Sequence, residues 1–577
     1  MKKSKMKNRL LFFSCVLSGM MLGGCTDGDY KISSVDATFG VGNGNLKLPS
    51  NSSFVITLDD ILDLGNTDLV TVDENTGDYM FGKDPETITD VNVKIKEISS
   101  ENASQPLSFP GLTLPAAIQA LAGQTVKPAD YGVKLDIAGN ISLMDYTFTA
   151  PNEVKKLNYV ELGDGAALKI DISVPGVTRL AKLEITLPQQ LVVTNQSGGS
   201  FDPSTNKLTL TNYSVSAGKL TLNFLVTRIN TELNTDNTFT LKGNVHMYVD
   251  VAELAVPNPC PSALNFSGAV TTATINVSAA NGQFKPTIDA QEVGSTTINS
   301  LPAFLTDKRV VADVDNPQIW LTLQSNMPLG GYVEAKLSST TSTEDVILSK
   351  AKGNQLPIAA NGTTRLVICR KAPSGLSGYT PVIAPDLSKL IMKLEEGMKI
   401  DIDVTKFEAE QTSDVTVKLG YDYTFTPSYR FKAPLALGDQ AEVVYKETED
   451  DWNKDLKDFQ LTSASKVFLT ASVNNGVPAD LEINIKPLDV KGVGLAGLIV
   501  KPIKNKVLAG ETAGVIQYEI TDPHGAGLKD LNGVEYELLV VAPSSATDKG
   551  KALNKNQKIT IKTTDLQLNG KVIIDAN

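Results

Sequence analysis

The chain has 577 residues, 53 basic and 65 acidic; its first 24 hold five of the basic residues and no acid, so removing them takes the formal charge from −12 to −17. A surface this acidic repels phosphate backbones and argues against a nucleic-acid partner. Beyond residue 24 no apolar stretch approaches the length of a membrane span, and the abundance of Val, Ile, Leu and Thr provides core for three or four domains, or for fewer large β ones.

Residues 1–24 form a signal peptide. Met1 to Arg9 is basic, and the apolar run from Leu10 to Leu22 is too short to cross a bilayer but fits a signal core. It ends in Leu22-Gly-Gly-Cys25, which matches the lipobox of bacterial lipoproteins, so Cys25 is expected to carry the acyl chains and begin the mature protein. Residues 25–42 then read as lipidated cysteine and tether. Within them, Thr26-Asp-Gly-Asp-Tyr-Lys31 resembles the surface-export signal of Bacteroidetes lipoproteins. That resemblance implies an outer-membrane protein, the cell surface being favoured over the periplasmic face.

The rest reads as mostly β. Leu168–Val174, Val245–Asp250 and Ile400–Val404 alternate apolar and polar residues with the period of half-buried strands. Asn-Gly pairs at 43–44, 281–282 and 475–476 read as turns. Three short amphipathic helices are expected: Leu114–Gly123, Asp386–Glu396 and a small acidic one through Trp452, Leu456 and Phe459. Asp73-Glu-Asn-Thr-Gly-Asp78 places oxygens at Asp73, Asn75 and Asp78, a weak calcium pattern that lacks the bidentate glutamate of an EF-hand; a hairpin turn explains it better.

Self-comparison yields landmarks in one order in both parts of the chain, among them Phe148-Thr-Ala-Pro151 with Phe431-Lys-Ala-Pro434 and Leu241-Lys-Gly243 with Leu568-Asn-Gly570. The expectation is two related β-sandwich-like halves of antiparallel sheets, 43–256 and 263–577, joined by the proline-rich linker 257–262, with a candidate division of the second half near 430. Separately, a strand-and-turn pattern through Asn326-Met-Pro328 recurs through Asn475-Gly-Val-Pro478.

Cys260 and Cys369 remain after Cys15 leaves with the signal and Cys25 is acylated. In an oxidising compartment they could pair, closing a loop of roughly 100 residues worth about 4.7 kcal/mol of unfolded-state entropy. A buried free thiol fits Leu366-Val-Ile-Cys369 equally well.

Little else suggests chemistry. His246 falls on a polar strand face and His524 in the turn Asp522-Pro-His-Gly525; no zinc spacing, nucleophile elbow or phosphate loop accompanies them. Two carboxylates would suffice for a glycosidase, and Trp320 and Trp452 both read as core rather than glycan platforms. No cofactor and no enzymatic activity is expected. Two functions stand from different classes: a non-enzymatic structural, adhesive or partner-binding envelope protein, and a carrier of lipid or another apolar ligand. A carboxylate-dependent glycan hydrolase is third. The membrane, through the N-terminal lipid, an envelope protein and an apolar ligand are the partners these readings name.

Mainly over residues 280–577, the chain resembles large Bacteroidetes envelope lipoproteins of unknown function, through Pro302-Ala-Phe-Leu305, Asn316-Pro-Gln-Ile319 and Phe431-Lys-Ala-Pro-Leu435. This resemblance implies location and architecture, and no activity.

Overall fold

The computed structural model describes residues 38–575, apart from 49–51, 63–68, 88–89, 100–102, 143–145, 242, 287–290, 300, 302–304, 306, 412, 453, 455–458, 462 and 526. It is mostly β, built from antiparallel sheets with two short helices.

The first strands do not form a unit of their own. They are β1 (Thr38–Leu48), β2 (Ser53–Thr57), β3 (Val70–Val72), β4 (Tyr79–Thr87), β5 (Val91–Lys94), β6 (Ile98–Ser99) and β7 (Ala103–Ser108), with helix α1 (Leu58–Leu62) after β2. Sequence reasoning missed α1, whose signal is Thr57-Leu-Asp-Asp60. The Asp60 carboxylate accepts the Thr57 N–H at 2.9 Å, and the Thr57 hydroxyl accepts the Asp60 N–H at 3.3 Å. This reciprocal cap satisfies two donors at the helix start.

Three modules follow, each of six strands in one topology. The first holds β8 (Asp136–Ser142), β9 (Val154–Ser173), β10 (Val177–Thr186), then β11 (Lys207–Ser214) as an addition, β12 (Lys219–Asn230), β13 (Asn244–Ala255) and a broken last strand, β14 (Ser267–Thr272) with β15 (Asn276–Phe284). The second holds β16 (Gln291–Ile298), β17 (Gln318–Ser325), β18 (Gly331–Ser339), β19 (Thr363–Cys369), β20 (Met398–Ala409) and β22 (Asp422–Pro434), and between the last two the short β21 (Val415–Lys418) reaches over to pair with β15 of the first. The third holds β23 (Glu442–Glu449), β24 (Lys466–Asn475), β25 (Asp480–Leu488), the edge strand β26 (Ile499–Lys504), β27 (Gly514–Thr521), β28 (Gly533–Val541) and β29 (Lys558–Asp575).

In every module the first, fifth and third of the six strands make one sheet, as in β8-β13-β10, β16-β20-β18 and β23-β28-β25. The fourth, second and sixth make the other: β12-β9-β14/β15, β19-β17-β22 and β27-β24-β29. The two sheets face each other. Phe407 of β20 meets Phe425 of β22 with ring centroids 5.7 Å apart, and Phe54 of β2 meets Tyr536 of β28 at 5.3 Å. Alternating Val, Ile and Leu on the inner faces make the core.

The N-terminal strands strap these modules in reverse order. β1 and β2 pair with β29 of the third module, β4 and β5 with β22 of the second, and β6 and β7 with β15 and β14 of the first. These strap strands thus cover edges that the sixth strands would leave open to pairing with another chain, while β21 covers β15 from Ala279 to Gly282.

This arrangement corrects the expected division. Residues 257–262 do not separate two halves, because β14 and β15 lie beyond them yet pair with β9, Leu168 opposite Thr272. The landmarks fall at unlike places: Phe148 lies in a two-stranded ribbon opposite Phe239, Phe431 lies between Ile319 and Lys83 in a wide sheet, and Gly243 precedes a strand whereas Gly570 is inside one. The recurrence through Pro328 and Pro478 is the structural one, since both turns join the second and third strands of a module.

Only Asn475-Gly476 of the three Asn-Gly pairs makes a turn between strands. Asn281-Gly282 is inside β15, where the chain passes so close to β9 that a Cβ on Gly282 would lie 1.9 Å from the Lys156 carbonyl oxygen. The helix expected over 386–396 shrinks to a single 3-10 turn, Leu387–Leu390; its apolar residues are buried, but the Asp386 side chain makes no cap. The helix at 114–123 is one turn, α2 (Ala116–Gln119). Of the third expected helix, 453 and 455–458 lie outside the described residues, and Phe459 is in a strand bridge to β29.

Candidate functional site

The residues nominated from sequence are not brought together. Cys25 lies outside the described residues. Cys260 and Cys369 are both free thiols, so the disulfide is not formed. Cys260 lies beside the first module, with its thiol 3.4 Å from the Pro261 carbonyl oxygen. Cys369 ends β19 inside the second module, where its thiol faces the carbonyl of Val367 and burial pushes its pKa up to about 11. The Asp73–Asp78 stretch is a hairpin turn between β3 and β4. Asp73 accepts the N–H of Asn75 at 2.9 Å and of Thr76 at 3.4 Å, Gly77 takes φ +79°, and Asp78 accepts from the Asn554 amide at 2.9 Å. The Asp73 and Asp78 carboxylates are thus engaged in holding the turn, Asp73 below the usual carboxylate range because of those N–H donors. Among the described residues no group of three or more His, Cys, Asp or Glu is arranged to hold a metal ion.

His246 stands on β13 of the first module with Nδ1 2.6 Å from the Asn140 amide oxygen; His524 sits in a loop of the third module. Trp320 departs from expectation. It is half-buried on the outer face of β17, opposite its inward neighbours Ile319 and Leu321, with Tyr379 edge-on at 4.8 Å. Its ring N–H donates to Gln318 at 3.1 Å and to the Lys432 carbonyl at 3.2 Å. Trp452 is buried, as its apolar face suggested.

An open cleft of about 510 Å³ lies where the loops of the second module meet the start of the third. Asp313, Glu344, Asp386 and Asp439 are its acids and Arg370, Lys389 and Lys393 its cations, with Lys389 also 3.2 Å from Asp386. Each acid there has a cation: Arg370 is 3.3 Å from Asp313, Lys389 is 2.5 Å from Glu344, and Lys549 is 2.7 Å from Asp439, holding the Asp439 carboxyl below its usual range. A general acid needs the opposite shift, towards neutrality. The hydroxyls of Thr341 and Ser342 donate to the carbonyls of Lys393 and Glu344, so neither is aimed at a base. This cleft can hydrogen-bond a polar surface; it does not assemble a nucleophile with a base.

A second polar cluster escaped sequence reasoning. Glu449, 6% exposed, accepts from the Trp452 ring N–H at 3.1 Å, Tyr536 at 2.9 Å, Thr563 at 2.7 Å and the Ser52 hydroxyl. Burial and the Glu449 charge hold the Tyr536 phenol protonated, its pKa well above the ordinary value. The four donors come from both sheets of the third module and from the strap. The run Thr448–Asn453 reads locally as a helix start, and only pairing of β23 with β28 turns Glu449 inward.

No family model and no curated protein matches the chain. Among solved structures, one from Parabacteroides distasonis, described as a protein inferred to be secreted, is 16% identical, with a TM-score of 0.35 over 52% of this chain and 90% of that one. A Sulfolobus turreted icosahedral virus structure is 10% identical (TM-score 0.11, 92% and 100% covered). An infectious bursal disease virus structure is 8% identical (TM-score 0.14, 88% and 87% covered). Likenesses of this size carry no functional argument.

Proposed function

We propose that this protein is a lipid-anchored lipoprotein of the outer membrane, favouring the cell surface, and that it acts as a non-enzymatic scaffold or partner-binding protein. One observation carries the reading: the chain enters its fold at the end of the third module that faces away from the second. Thr38 is opposite Asp575 at the start of β1, while the contacts with the second module come from the other end of the same strands, at Val443, Val477, Val540 and Ile559. A tether from Cys25 would hold the third module at the membrane and the first module outermost.

The interior supports a scaffold over an apolar-ligand carrier. Three cavities lined by core side chains among the described residues measure about 20, 50 and 70 Å³, against the roughly 300 Å³ or more of a typical ligand pocket. The neutralised carboxylates of the open cleft likewise favour binding over hydrolysis. Changing Cys25 to Ala should release the protein from membranes or stall its processing, and protease added to intact cells should cut the first module before the third. A Cys25→Ala chain of mature size that still fractionates with membranes would end the lipoprotein reading.

A further inference from the structure

The end of the third module where β1 begins also carries an apolar tip. Val490 and Val493, in the connection between β25 and the edge strand β26, are 64% and 59% exposed, and Ile499, the first residue of β26, is 56% exposed. This connection is held in place. The Asp489 carboxylate accepts the N–H of Lys491 and of Val493, both at 2.8 Å; the Val493 carbonyl accepts the Asp489 N–H at 2.9 Å; and Gly492 takes φ +76° to close the turn. Behind it Leu498 is buried beside Gly527, whose N–H, with those of Gly525 and Leu528, points at the 2%-exposed Asp522 carboxylate. A built turn therefore displays two valines to solvent with Lys491 between them.

Strand register places the tip. Leu488, which ends β25, pairs with Gly533; Lys466 pairs with both Thr521 and Asn569; and Thr38 pairs with Asp575 a few residues further along β29. The tip and the entry of the chain therefore share one end of the module. Cys25 precedes Thr38 by 13 residues, a span that reaches at most about 45 Å when extended.

We propose that this tip is a bilayer contact: Val490, Val493 and Ile499 enter the acyl boundary of the outer-membrane surface while Lys491 stays at the headgroup phosphates. The proposal rests on the lipoprotein reading for its orientation, and the lipid surface is the occupant because the tether brings that surface to this end. Apolar side chains in a preformed turn with an adjacent cation suit an interface of acyl chains beneath phosphates. Contact at the tip would hold the modules upright, which a single lipid anchor does not do.

The test uses the mature chain with Cys25→Ser, so that binding does not depend on acylation, and sedimentation with vesicles of phosphatidylethanolamine and phosphatidylglycerol. This chain should bind, and Val490→Asp with Val493→Asp and Ile499→Asp should lower the partition coefficient roughly tenfold or more. Leu508→Asp, at a 55% exposed residue near the opposite end of the module, should bind like the parent. In a separate Val490→Trp chain the emission should shift to the blue on adding vesicles. Absence of vesicle binding by the Cys25→Ser chain, or equal binding by the triple variant, overturns the proposal. Concentration-dependent self-association lost in the triple variant, without vesicle binding, overturns it in favour of a second copy. Cellular fractionation of Cys25→Ala decides the anchor independently, so a failed anchor with retained vesicle binding refutes only the former.

Discussion

The two ends of the third module treat apolar side chains in opposite ways. At the end facing the second module, Val443, Val477, Val540 and Ile559 line one cavity with helix α1, Val314 and Leu437, while Val55 of β2 and Leu508 stand exposed to its sides. At the other end Val490, Val493 and Ile499 stand exposed, although a buried polar cluster around Glu449 closes the same end from within. The strands are the same, so the difference lies in what each end is built to meet. Where a neighbour is in the chain, apolar surface is covered; where none is, the fold seals its interior with hydrogen bonds and leaves a few apolar residues outside.

The largest effect should come from the seal. Replacing Glu449 with Ala leaves Tyr536, Thr563, Trp452 and Ser52 without their acceptor in a dry interior, and unfolding in urea should show a loss on the order of 4 kcal/mol. Glu449→Gln keeps one acceptor oxygen and should lose less than half as much. A loss below about 1 kcal/mol for Glu449→Ala would mean that water reaches the cluster and that the free end is not sealed.

The covered end should respond through volume. Leu62 of α1 is 4% exposed and lines the 70 Å³ cavity between the modules. Leu62→Ala enlarges that cavity and should cost about 3 kcal/mol. Ala441→Val, at another lining residue, should instead gain up to about 1 kcal/mol by filling it. Destabilisation by both would show the junction to be tightly packed already.

Those contrasts were partly legible in the sequence. Alternation marked β9, β13 and β20 because period-two burial is local information, and the turns before Pro328 and Pro478 marked the same hairpin in two modules. The strap was not legible, because Thr38 meets Asp575 across nearly the whole chain and no local pattern records a partner so distant. Four-residue landmarks misled for a related reason: Phe-x-Ala-Pro recurs wherever a strand ends against a proline, whatever sheet it belongs to. Trp320 was misplaced because an apolar run conceals which of its alternate residues faces outward. Of the site residues, Asp73 and Asp78 were legible as a turn, and the inward Glu449 was not, since its burial is decided by β28.

A smaller, pH-dependent effect distinguishes the two module junctions. Where the first module meets the second, Asp414 accepts from Lys156 at 2.6 Å, Asn158 at 2.8 Å and Gln283 at 3.1 Å, and these donors hold its pKa down at about 2. Its folded value lies below its unfolded one, so its contribution is complete above the ordinary carboxylate value of 3.8 and is lost as pH falls towards 2. Asp414→Asn should therefore lower the urea midpoint at pH 5 and lower it progressively less on approach to pH 2.5. Where the second module meets the third, Arg309 bridges Asp307 at 2.9 Å and Glu537 at 2.8 Å, and Asp307 is likewise held near 2. Both clasps are solvent-facing and will weaken with salt, whereas the apolar contacts of α1 at the second junction will not. Raising salt at pH 5 should thus loosen the first junction more than the second, as read by the order of protease cuts.

The smallest effect is the most telling about the exposed end. Val490 contributes its side chain to solvent, and its turn is held by Asp489, Gly492 and backbone N–H groups rather than by the valine. Val490→Ser should therefore change the unfolding free energy by no more than about 0.5 kcal/mol, as for other surface substitutions without special contacts. Asp489→Ala should cost more, about 1 kcal/mol, because the Lys491 and Val493 N–H groups lose a charged acceptor. If Val490→Ser instead costs as much as a core substitution, the valine is holding the module together and its exposure needs no partner. If it is neutral while Asp489→Ala is not, the fold spends hydrogen bonds to hold an apolar residue in water where that residue returns nothing to stability. A rigid display of that kind is accounted for only by something the tip touches.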